Sequence, residues 1–351
     1  MRGRVFSFLT ALCLLLLLPV SAGCQGKGLK RYQTESFAYF DTVTTVIGYA
    51  ENEASFLAEA AVVFEELSRY HRLFDIYHAY EGLENLYTVN EVQNGVHRTV
   101  TVDAHVIEML LFAKEMYEKT AGALNVGMGS VLTIWHSHRA ASLDNPENPT
   151  LPSDAELADA ALHTAFEHVI IDKEHCTVTI TDPEMTLDVG AIAKGYATER
   201  VAESMTARGL AHYILNVGGT VRAVGARADG NPWIAGIENP GANAGATYLA
   251  EVRVTDKALS TSGTYQRYYT VNGMRYHHII DPKTSKPATG YLSVSVLADD
   301  TALADALSTA LFCMSVEEGT VLLSTYPNAA ALWVRADGSQ HKSAHFSDFL
   351  K

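Results

Sequence analysis

Asp188-Val189-Gly190-Ala191-Ile192-Ala193-Lys194-Gly195-Tyr196-Ala197 is the stretch around which the rest of the chain is read. A β-rich segment, Val178-Thr179-Ile180-Thr181, leads into it. A helical pattern follows, with Ala193, Ala197, Val201, Ala202 and Met205 spaced three and four apart. Small residues at Gly190, Ala191, Ala193 and Gly195 let a ligand approach the backbone closely. The unpaired N–H groups of a helix start suit a phosphate, and Lys194 adds a cation. The plain alternative is an ordinary strand-to-helix junction with Asp188 as its cap.

Upstream, Phe37 to Tyr49 reads as a strand, dominated by Val43-Thr44-Thr45-Val46-Ile47. A helix runs from about Glu53 to Tyr70, with Phe56, Ala60, Val63, Phe64 and Leu67 on one face. A second spans about Asp103 to Lys119, capped by Asp103. Gly122 to Trp135 is rich in small residues, Asn145 to Pro149 has loop chemistry, and Ser153 to Leu162 is a short helix. Downstream, strands dominate: 169–171, 177–180, 213–215, 221–224, 233–237, 248–254, 267–271, 274–280, 292–297 and 332–334, with helices near 190–208, 301–314 and 316–325. Asn216-Val217-Gly218-Gly219-Thr220 reads as a turn joining two strands. Hairpin-sized turns and interposed helices predict an α+β fold of mixed, largely antiparallel sheets with packed helices.

The chain has 351 residues and a formal charge of −14. Residues 1–23 read as an export segment: the basic start Met1-Arg2-Gly3-Arg4, an apolar run from Val5 to Leu18, then Ser21-Ala22-Gly23-Cys24. A small-residue run ending in Cys looks like a lipobox, with Cys24 as the lipidated first residue of an exported protein held on a bacterial membrane, facing the periplasm or the exterior. A plain signal peptide and an uncleaved anchor are the alternatives, although the run is short for a spanning helix. Residues 24–36 then form a tether, 37–340 the folded domain and 341–351 a C-terminal tail. Removing residues 1–23 takes away two of 26 basic residues and none of 40 acidic ones, leaving a charge of −16. That balance excludes nucleic acid as a partner, because a phosphate backbone needs a basic face. An anionic ligand would need local help from a cation. Cys176 and Cys313 suit a disulfide and buried thiols equally well.

Two later stretches join the first: Ser260-Thr261-Ser262-Gly263-Thr264-Tyr265-Gln266-Arg267, running on to His278-Ile279-Ile280-Asp281-Pro282, and Ala304-Asp305-Ala306-Leu307-Ser308-Thr309-Ala310. In order and spacing the three resemble the ApbE family of FAD:protein FMN transferases, from about Phe37 to about Trp333. Asp305 and Thr309 lie four apart, on one face of a helical pattern, and offer hard oxygen ligands or a solvated pair. The resemblance implies that they bind Mg²⁺ with the backbone carbonyl of Ala191. It implies flavin contacts at Phe40, Tyr80, Ala123, Leu124, Asn125, Asp188, Lys194, Thr261, Ser262, His278, Ile279 and Ile280. His278 is the one histidine given a role, with a hydrogen-bonded structural histidine as the even alternative. The implied reaction transfers FMN from FAD to a Thr hydroxyl of an acceptor protein and releases AMP, with Asp305 and His278 as catalytic residues. A Mg²⁺-dependent FAD pyrophosphatase is the alternative, and a non-catalytic solute-binding lipoprotein the remote one. His136 and His138, with no third ligand nearby in sequence, are declined as a metal site. Ala244-Gly245-Ala246-Thr247 is read as a loop.

Overall fold

The computed structural model describes residues 28–241 and 247–351. The export segment, Cys24 and Ala244 to Ala246 lie outside the described residues. An eight-stranded sheet carries the molecule: β1 Lys30–Tyr39, β2 Thr42–Ala50, β3 Tyr213–Val217, β4 Thr220–Val224, β5 Ala258–Gly263, β6 Tyr291–Ala298, β7 Ala330–Arg335 and β8 Gln340–Lys342. Its spatial order follows the chain, and every neighbouring pair is antiparallel. The five longest helices are α1 Glu53–Phe74, α2 Ala104–Lys119, α3 Gly129–Asp144, α4 Ala193–Ala207 and α5 Thr301–Phe312. The fold is thus α+β and largely antiparallel.

Strand alternation sorts the side chains between two cores. Val46, Leu215, Val217, Ala258, Val294, Val296 and Trp333 face a large cluster shared with α1, α2, α4 and α5. Ile214, Ala223, Leu259, Leu297 and Leu332 face the other way, against the hairpin Trp233–Glu238/Tyr248–Val254 and Phe346. Helix α4 packs on α1 and α5, and α5 on β5 and β6. A small sheet of Val100–Thr101, Thr177–Ile180 and Val169–Asp172 delivers the chain to the 188–195 turn.

Several boundaries differ from the expectations. The expected Phe37–Tyr49 strand is broken by a turn: Phe37 to Tyr39 end β1, which starts at Lys30 within the expected tether, and β2 resumes at Thr42. This turn places Phe40 and Asp41 at φ 54° and 50°, in the left-handed region, where no Gly or Asn signals a turn. The tail also folds: β8 pairs with β7, and Phe346 is fully buried. Ser260 to Gly263, read only as a motif, is the end of a central strand. Gly218 and Gly219 do form the β3–β4 turn, both at positive φ. Cys176 and Cys313 are free thiols.

Candidate functional site

The 188–195 turn is held from two sides before it reaches α4. Asn90 brackets Leu187, donating to its carbonyl at 2.9 Å and accepting its N–H at 2.8 Å. The segment Ala123–Gly129 runs alongside: Asp188 N–H donates to Val126 O, and Gly129 N–H to Thr186 O. Ala123 and Leu124 are buried, and the Asn125 side chain is engaged by Thr164 O and Gly127 N–H. This segment therefore supports the turn and presents backbone to it. Asp188 accepts from Gly190 N–H at 2.9 Å. It does not cap α4, whose N-cap is Ile192 with no side-chain bond.

Asp305 meets that turn from α5. Asp305 is 5% exposed, and each of its carboxylate oxygens is engaged. Oδ1 accepts from Ser260 Oγ at 2.9 Å and from Thr220 Oγ1 at 3.4 Å. Oδ2 accepts from Gly195 N–H at 2.9 Å and lies 3.5 Å from Lys194 Nζ. Two expectations change here. The orphan N–H of Gly195 is not offered to a phosphate, because Asp305 takes it. Gly195 is small for α5 rather than for a ligand: a Cβ there would stand 2.4 Å from Asp305 Cβ and 2.5 Å from Thr301 O. The Lys194 ammonium is engaged partly by Asp305. One turn along α5, Thr309 Oγ1 lies 3.2 Å from Ser262 Oγ, which also contacts Ser308 Oγ at 2.9 Å.

The β5 register divides its motif. Ser260 and Ser262 face α5, whereas Thr261 turns to the opposite face and meets Ser295 Oγ at 2.8 Å. The Thr261 side chain is thus directed away from Asp305. Ile279 and Ile280 are both buried in apolar clusters, leaving only their backbone for a ligand.

Titratable groups surround the turn. His278, partly exposed, bonds through Nδ1 to Arg267 O at 3.2 Å. A carbonyl only accepts, so Nδ1 carries the proton and Nε2 keeps its lone pair. Burial pushes this imidazole down to about 3; the Arg267 carbonyl opposes that, and the charges of Arg267 and Lys194 reinforce it. Such a depressed group favours the folded state above the ordinary value of 6.5 and loses that contribution as pH falls. In urea unfolding between pH 6.5 and pH 4, the wild type should lose more stability than His278→Asn.

Arg267 also donates to Asp41 O in the strained hairpin turn, where Phe40 packs edge-on against His71. Tyr80 is committed elsewhere: its hydroxyl donates to Asp75 Oδ2 at 2.7 Å and Arg72 stacks over its ring. The tyrosine of this loop that faces the site is Tyr77, which is 57% exposed. Crowding by the surrounding protein and then the Asp188 carboxylate push its phenol up to about 12, while Arg267 opposes. Its hydroxyl lies 3.5 Å from His136 Nδ1. Burial lowers the His136 imidazole, and Asp188 partly offsets this. Tyr77, His136 and Arg267 are thus site residues to which the sequence pattern assigns no role.

The donors around Asp305 and Thr309 are oxygens, a set that suits a hard cation such as Mg²⁺. The ladder of α4 opens with Tyr196 N–H to Ile192 O, so the Ala191 carbonyl stands outside it. Among the described residues no three His, Cys, Asp or Glu side chains gather as a metal cluster. The expected set of one carboxylate, one hydroxyl and one carbonyl would not form such a group.

Fold and site together define, as a class, an α+β enzyme whose polar site lies where two helices pack together beside a central sheet. The ApbE family profile matches residues 40–333. The FAD:protein FMN transferase of Klebsiella pneumoniae is 30% identical over 276 residues, covering 75% of this chain and 81% of that one. The protein of the same name from Vibrio cholerae is 32% identical over 234 residues, 66% of this chain and 68% of that one. Among solved structures, the ApbE protein of Thermotoga maritima superposes with a TM-score of 0.79 at 28% identity, covering 92% of this chain and all of that one. This chain belongs to the ApbE family.

Proposed function

We propose that this protein transfers FMN from FAD to a Thr hydroxyl of an acceptor protein, in a Mg²⁺-dependent reaction that releases AMP. The observation that carries the proposal is the meeting of Asp305 with the first turn of α4, flanked by Lys194, Ser260, Ser262 and Thr309. The Thr oxygen forms a bond to the FMN-side phosphorus, and the bridging P–O bond to AMP breaks. Phosphoryl transfer asks chiefly for positioning and for neutralisation of phosphate charge. Asp305, Thr309 and the Ala191 carbonyl would hold Mg²⁺, which supplies that neutralisation when bound. Ser260 and Thr220 orient the Asp305 carboxylate from the sheet side. Lys194 places a cation beside the diphosphate. Neutral His278, with its Nε2 lone pair free, accepts a hydrogen bond from the attacking hydroxyl and so orients it, and the hydroxyl proton passes to water. Tyr77, Phe40 and the backbone of 123–125 and 279–280 line the flavin end, with Asp188 at its polar edge. In place of the expected Tyr80, Tyr77 takes the aromatic position. Export and a lipid anchor at Cys24 complete the proposal, placing the reaction at a membrane surface.

His278→Asn should lower transfer about 100-fold, the scale of a misplaced reacting group, while changing KM for FAD little. The function is tested by incubating the protein with FAD and Mg²⁺, with and without a Thr-bearing acceptor domain. Intact mass spectrometry should show the acceptor gaining FMN, with AMP released in step. Rapid AMP release without acceptor, and no mass gain with it, would identify an FAD pyrophosphatase instead.

A further inference from the structure

Glu199 has no part in the reaction above, yet it is 4% exposed and densely bonded. It accepts from Arg222 of β4 through Nε at 3.0 Å and Nη2 at 3.1 Å. It also accepts from the backbone N–H and the hydroxyl of Thr301, each at 2.7 Å. Thr301 is the first residue of α5, whose own cap Asp300 takes the N–H of Leu303. Glu199 therefore caps a helix other than its own, where a carboxylate complements the macrodipole. The arrangement is reciprocal. Asp305, one turn into α5, caps the first turn of α4 at Gly195, and Glu199, one turn further along α4, caps the first turn of α5.

Two such bonds fix both the separation and the axial setting of the crossing helices, and Gly195 lets them close without a spacer. Arg222 compensates the buried charge and ties the pair to the sheet. We propose that Glu199 is a positioning residue: through Thr301 it sets where Asp305 and Thr309 stand relative to the 188–195 turn. The inference rests on the reading of Asp305 as a cation ligand. A supporting group outside the ligand set commonly changes metal affinity by about tenfold or more.

The test is Mn²⁺ binding to the full chain without FAD, followed by the electron paramagnetic resonance signal of the free ion. Glu199→Gln keeps the size but turns an amide donor toward Arg222 or Thr301, and it should weaken Mn²⁺ binding about tenfold. Thr301→Val removes one of the two bonds and should weaken it less, whereas Thr301→Ser, retaining the hydroxyl, should restore wild-type affinity. Should Glu199→Gln fail to fold, the Thr301 pair decides. Lower melting temperatures with unchanged Mn²⁺ affinity in these variants would reduce Glu199 to a structural role and overturn the inference. If the wild type itself binds no Mn²⁺, the cation reading of Asp305 fails and the inference falls with it. If Asp305→Asn alone abolishes binding, that reading stands and only the role of Glu199 is lost.

Discussion

Asp305→Asn should reduce FMN transfer about a thousandfold, the upper range for removing one preorganised electrostatic contact from a buried site. That loss corresponds to about 4 kcal/mol of transition-state stabilisation. The geometry says why an amide cannot substitute. Oδ1 can still accept from Ser260 and Thr220. Where Oδ2 stood, an NH₂ group would point at two donors, the N–H of Gly195 and the ammonium of Lys194. The variant therefore loses the anionic ligand and leaves the Gly195 N–H without its acceptor, a defect worth about 1–3 kcal/mol of stability. Circular dichroism should show a folded protein with a lowered melting point. Titration with Mg²⁺ should no longer give a saturating rise in rate, and KM for FAD should move only a few-fold, because Tyr77, Phe40 and the 123–125 backbone are untouched. Transfer within tenfold of wild type would remove Asp305 from the reaction.

How much of this site was legible in the sequence depends on which contacts are local. The helix capped by Asp103 and the β3–β4 turn were readable because their determinants lie within four residues of one another. The facing of Asp305 and Thr309 follows from helical spacing in the same way. Strand β5 was not readable as a strand: Ser260, Thr261 and Ser262 carry no apolar alternation. Their burial is compensated by hydroxyl bonds to Asp305, Ser295 and Ser308, partners 34 to 46 residues away. The Phe40–Asp41 turn was hidden because left-handed backbone is costly for an aromatic residue. Packing of Phe40 on His71 and the bond from Arg267 to Asp41 hold it there. Tyr77 and Tyr80 sit in one short aromatic segment, and it is the bond from Tyr80 to Asp75, with Arg72 over the Tyr80 ring, that commits Tyr80 and leaves Tyr77 beside His136. In the sequence Glu199 is an acidic residue of a helical pattern with no local partner to mark it. Its role appears only when Thr301, 102 residues on, arrives beside it.

Gly195→Ala is the sharpest test of the crossing itself, because helix propensity and packing predict opposite signs. Inside a helix, Ala is favoured over Gly by about 1 kcal/mol, so an unconstrained position would be stabilised. Here the added methyl would meet Asp305 Cβ at 2.4 Å and Thr301 O at 2.5 Å, and neither is the end of a flexible side chain. Relief requires α4 and α5 to separate, and overpacking of this kind costs about 1–3 kcal/mol, occasionally more. Separation also lengthens Gly195 N–H to Asp305 and Glu199 to Thr301 together, adding the cost of two weakened buried bonds. Packing wins. The variant should unfold in urea with stability reduced by about 2–4 kcal/mol, the sum of these terms less the propensity gain. Activity measured on the folded protein well below the transition should fall by about a hundredfold, since a displacement near 1 Å at a positioned group has that effect. Gly209, at φ +81° just beyond α4, is the matched control, since a methyl added there would meet nothing within 4 Å. Ala there should cost only the strain of a left-handed residue, about 1–2 kcal/mol, and leave the rate unchanged. A Gly195→Ala protein as stable and as active as wild type would mean that α4 and α5 do not cross with Asp305 seated against Gly195, and that the meeting of the two motifs must be drawn differently.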